Sequence, residues 1–82
     1  MSISPSIFAT TDIYAASFAI SQGVRLEGCD RRDSRRVVFL LERNAKLDGL
    51  LENYWNGEPV TVVPSQLFAS LKHLKSLLHS LK

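Results

Sequence analysis

The stretch Val24–Glu42, VRLEGCDRRDSRRVVFLLE, decides how this chain folds. It reads as two strands around a polar turn. Val24, Leu26 and Gly28 alternate with Arg25, Glu27 and Cys29, and β-branched and aromatic side chains crowd Arg35–Glu42. Between the two runs, Asp30-Arg31-Arg32-Asp33-Ser34 has the Asp/Ser character of a hairpin loop. Five of the ten basic residues, Arg25, Arg31, Arg32, Arg35 and Arg36, fall on this one hairpin. The pattern predicts a projecting cationic tip that suits an anionic partner without identifying it.

On the N-terminal side, Pro5 and three serines predict an irregular arm over residues 1–9, pinned by Ile7 and Phe8. Thr10 or Thr11 then suits an N-cap, and Asp12 complements the positive end of a helix running to Gln22, with Gly23 as its stop. On the C-terminal side, Asn44 caps a second helix, Ala45–Trp55. Leu47, Leu50, Leu51 and Tyr54 recur there at i, i+3, i+4 and i+7, giving one apolar face. Gly49 in its middle suggests a close approach by a neighbour, and Asn56-Gly57 ends it. Val60–Val63 is short, β-branched and bounded by Pro59 and Pro64, which reads as a third strand. Pro64 suits the first turn of a last helix reaching Ser80. Its Leu67, Leu71, Leu74, Leu78 and Leu81 follow a heptad-like 4-3-4-3 spacing that Phe68 and Leu77 widen. The expectation is an α+β fold in the order α-β-β-α-β-α, with a small antiparallel sheet packed on helices.

The 82 residues form a single domain, 1–82, with room for one core. A domain this small buries only about 60–65% of its unfolded surface, so its stability margin is thin. Cys29 is the only cysteine, which excludes an internal disulfide and fits a reducing cytoplasm. Eight carboxylates offset ten Lys and Arg, so the net charge is +2 and any affinity for nucleic acid must come from placement. No apolar run suits a bilayer span, and the N-terminus lacks the charged start and apolar run of a signal peptide.

Three segments together are familiar: Thr11–Phe18 (TDIYAASF), Val38–Glu42 (VFLLE) and Tyr54–Glu58 (YWNGE). In that order they resemble a small bacterial and phage-associated family of domains of unknown function, the DUF5659-like group, over roughly Ile7–Leu78. Thr11-Asp12-Ile13-Tyr14 and Tyr54-Trp55-Asn56-Gly57 are the most specific pieces. The resemblance implies a compact α+β module and occurrence near mobile elements. It carries no agreed activity and no catalytic residues.

Two functions compete on the residues themselves. In the first, a non-catalytic nucleic-acid-binding module grips phosphates with Arg25, Arg31, Arg32, Arg35 and Arg36, and Lys72 and Lys75 extend the footprint. The bland counterpart is a solvated turn neutralised by Glu27, Asp30 and Asp33. In the second, an adaptor or subunit docks on a larger protein, or on its own copy, through Trp55, Leu67, Leu71, Leu74, Leu78 and Leu81. Core packing of that leucine seam competes with it, as does a tryptophan that merely covers a core edge. Catalysis finds little support: His73 and His79 lie six apart, no Cys/His cluster has zinc spacing, and no glycine loop cradles phosphate. No metal or cofactor is expected.

Overall fold

The computed structural model describes residues 6–33 and 36–80, the side chains of Arg32 and Asp33 excepted. Six elements follow in order: β1 (Ile7–Thr10), α1 (Ile13–Ser21), β2 (Leu26–Asp33), β3 (Arg36–Glu42), α2 (Ala45–Asn56) and α3 (Pro64–Ser80). The α+β class and the antiparallel three-stranded sheet are as the sequence predicts, but the third strand is a different one. β1 pairs with β3 from Ile7 opposite Glu42 to Thr10 opposite Phe39, so the sheet order is β1-β3-β2. The order of elements is therefore β-α-β-β-α-α, and Ile7–Ala9 belongs to a strand, not to an irregular arm.

Val60–Val63 stays an extended connection. Its β-branched side chains favour a strand, but Pro59 and Pro64 leave too little chain with free N–H groups to build a ladder. Two of its carbonyls have other partners. Thr61 O accepts from Gln22 Nε2 at 2.9 Å, and Val63 O accepts from the Gln66 and Leu67 amides that open α3.

Local chemistry sets the helix ends. Asp12 is itself the N-cap of α1, accepting from the Tyr14 and Ala15 amides at 3.0 and 3.2 Å, while Thr10 Oγ1 accepts from the Asp12 amide. Neither threonine caps the helix. Asn44 caps α2 by accepting from the Leu47 amide at 2.9 Å, and Gly57 closes it in the left-handed region at φ 70°. A Cβ at Gly49 would meet nothing within 4 Å, so no neighbour makes a close approach there.

The core gathers around α1. Ala15, Ala16, Phe18 and Ala19 are buried against Phe39 and Leu41 of β3, Leu47 and Leu51 of α2, and Leu74 of α3. Phe18 stacks on Tyr54 with ring centroids 5.4 Å apart. Among the described residues no helix is long and apolar enough to cross a membrane.

Leu74 is completely buried. Its truncation to alanine removes buried methyl groups that its neighbours only partly replace, so Leu74→Ala should lower stability by about 3 kcal/mol in urea unfolding. Asp12→Ala should cost about 1 kcal/mol in the same assay, because two N-terminal amides lose their acceptor.

Candidate nucleic-acid interface

The hairpin is longer and less regular than its sequence suggests. β2 runs through Arg31 and Arg32, so these residues lie on a strand and not in a turn. Asp30 pairs with Val38 and Asp33 with Arg36, which sets three steps of β2 against two of β3. The extra residue falls where Arg31 and Arg32 are. Such irregularities bend a strand and re-aim its side chains. A second one separates Leu26 from Gly28.

Alternation along β3 sorts the two faces of the sheet. Phe39 and Leu41 are buried, with Cys29 and Leu26 as their cross-strand partners on the core side. Arg36, Val38, Leu40 and Glu42 take the opposite phase. Burial raises the Cys29 thiol above its ordinary value, and burial followed by the charge of Asp12 raises the Tyr54 phenol.

The predicted arginines do not form a single cluster. Arg25 is exposed, and its Nε lies 3.7 Å from Glu27 Oε2. Its carbonyl accepts from the Glu42 amide, at the end of β3 away from Arg36. Six strand residues put it roughly 20 Å from the Arg36 backbone. Arg31 and Arg36 are both exposed, and among the described residues neither forms an ion pair. Arg35 lies outside the described residues, as does the side chain of Arg32.

Arg36 has neighbours that sequence distance conceals. Together with Thr11, Ile13, Val37, Phe39 and Leu78 it lines a cleft of about 290 Å³, so the last turns of α3 come beside the hairpin. At the start of α1, Asp12 already engages the Tyr14 and Ala15 amides.

On α3 the leucine seam belongs mostly to this chain's own core. Leu74 is fully buried, Leu77 and Leu78 pack against the core, and Leu67 and Leu71 are half-buried. Leu81 lies outside the described residues. Lys72, Lys75 and His79 are exposed. Trp55 is 60% exposed, with its ring 6.5 Å from that of Phe8, so it shields the edge of β1 while keeping a wet face.

Phe68 is the residue that the sequence reading misplaces. Assigned to the seam, it is instead 64% exposed and shares a groove with Leu71, Lys72, Lys75, Ser76 and His79. Its angle on the helix contains that signal: six residues from Leu74 is a rotation of about 120° away from the core direction. Among the described residues no three His, Cys, Asp or Glu side chains gather as a metal site would require.

The geometry is that of a small α+β domain with two neighbouring cationic surfaces, one on the hairpin and one on α3. The family model of a domain of unknown function, DUF5659, matches residues 6–80, and the chain belongs to that family. No curated protein and no solved structure matches it.

The raised Cys29 pKa keeps its thiol protonated, and the thiolate is the reactive form. Its reaction with a disulfide reagent at mildly alkaline pH should be slower than that of free cysteine. Denaturant should restore the rate of an exposed thiol.

Proposed function

We propose that this chain is a non-catalytic nucleic-acid-binding module that contacts phosphates through the cations of its hairpin. One observation carries the reading. Arg31 and Arg36 are exposed without ion pairs among the described residues, beside an irregularity in β2 and next to the end of a cationic helix. Guanidinium groups suit phosphate because their planar fork can donate two parallel hydrogen bonds to it. Contacts of this kind position a protein on the backbone but read no bases, so the binding is largely indifferent to sequence and weakens steeply with salt. Occurrence near phage or other mobile elements, which the family resemblance implies, suits such a role. A reducing cytoplasm suits the single, half-buried thiol.

Arg25 plays a lesser part. Its pairing with Glu27 is solvent-exposed and holds little energy, but it places a carboxylate where a phosphate would go.

A second reading, a subunit of a larger assembly, draws on Trp55. Its exposed face has the size and chemistry of an interface anchor. The leucine seam supports this reading less, because its centre lies in the core.

Fluorescence-polarisation titration with labelled oligonucleotides across a salt series tests the first reading. Micromolar or tighter binding at low salt is expected. Arg31→Ala combined with Arg36→Ala should weaken it by about tenfold and flatten the log–log salt slope by about 2, close to one unit for each lost phosphate contact. Thermal stability should stay nearly constant, since both side chains are exposed. An unchanged slope in the double variant would remove the hairpin from the interface.

A further inference from the structure

A large aromatic ring held in water on the second turn of α3 does nothing for the core beneath it. Measured from buried Leu74, the directions of Leu67, Leu71 and Leu78 fall within about 60° at 100° per residue. Lys75, Phe68, His79 and Lys72 fall between about 100° and 160° on one side. Phe68 thus stands inside the cationic stripe, and the groove it lines with Leu71, Lys72, Lys75, Ser76 and His79 measures about 330 Å³.

The charge around that ring has one sign. Eight acidic residues occur up to Glu58 and none after it, whereas Lys72, Lys75 and Lys82 all follow. The first 58 residues hold seven Lys and Arg against those eight acids, so the positive net charge of the whole chain comes from its last segment.

An exposed ring flanked by ammonium groups matches the chemistry of an unpaired base attached to its phosphates. Every base has a π-face, and a single strand offers it where a duplex hides it in the stack. We propose that the α3 groove binds single-stranded nucleic acid, with Phe68 as the stacking platform and Lys72 and Lys75 holding adjacent phosphates. Lys72 lies about 6 Å and Lys75 about 10 Å along the helix axis from Phe68, both toward its C-terminal end. A strand following them leads to the cleft that Leu78 shares with Arg36. The inference rests on the nucleic-acid reading above and narrows it to strands with accessible bases.

The test uses the full chain and one labelled oligonucleotide of about 12 nucleotides, single-stranded and annealed to its complement. Phe68→Ala should weaken single-strand binding by about 5- to 100-fold and change duplex binding by less than about twofold, since phosphate contacts do not involve the ring. Phe68→Trp should restore single-strand binding. Urea unfolding of each variant separates loss of stacking from loss of fold. Equal single-strand affinity in Phe68→Ala, or equal loss on both forms, overturns the proposal. Wild-type binding to duplex alone also overturns it but leaves the hairpin reading standing, and binding to neither form overturns both. If poly-glutamate displaces the single strand as well as unlabelled oligonucleotide does, the groove belongs to an acidic polypeptide and the proposal fails.

Discussion

Helix α1 is enclosed by three other elements, and that enclosure fixes most of the molecule. Ala15, Ala16 and Ala19 have at most 1% of their surface exposed. Methyl side chains let the sheet, α2 and α3 approach the α1 backbone together, and larger ones would hold at least one of them away. Ser17 shares the same burial and keeps its hydroxyl satisfied by donating to Ile13 O at 2.7 Å. Once α1 fills the centre, β3 contributes Phe39 and Leu41 to it, and α3 must turn Leu74, Leu77 and Leu78 inward. The opposite side of α3 then has no choice but to face water.

This packing explains why the two cationic surfaces are neighbours. The hairpin is anchored through Phe39 and Leu41, and its far end carries Arg31 and Arg36 beyond the core. Inward-turned Leu78 brings the end of α3 to the same region, where it meets Arg36 in one cleft. A cleft shared by residues 42 positions apart thus follows from burying apolar surface, and the charges come with it. They differ in kind, however. The hairpin arginines stand among Glu27, Asp30 and Asp33, whereas the lysines of α3 have no acidic residue on their own helix.

Most of the helical structure was legible because its determinants are local. Asn44 and Gly57 bracket α2, and Pro64 opens α3, each through a backbone requirement a few residues wide. The cap of α1 lies one or two positions beyond the expected threonines, since Thr10, Thr11 and Asp12 are all competent and only geometry selects among them. The third strand is a different case. Val60–Val63 looks more strand-like than Ile7–Thr10, yet pairing is a non-local event settled by which segment can reach the free edge of β3. The Ser6 carbonyl accepts from the Arg43 amide at 2.6 Å, next to the Ile7–Glu42 pair, and no local pattern announces it. The candidate site was legible as composition but not as placement. Arginine clustering was evident, while the separation of Arg25 from Arg36 needed the register, and the outward Phe68 needed the direction of the core.

A mild net charge conceals a strong asymmetry, and the asymmetry matters more for binding. Charges within about 8–10 Å of one another act together at physiological salt, whereas more distant ones are screened. The α3 lysines are one turn apart on a single face, so an approaching polyanion meets them as a unit. Their attraction to charge alone carries little chemical selectivity among polyanions. Selectivity has to come from a group that distinguishes one polyanion from another. On the single-strand binding we propose, that group is the ring of Phe68, which would reward a flat aromatic base and give nothing to a carboxylate chain.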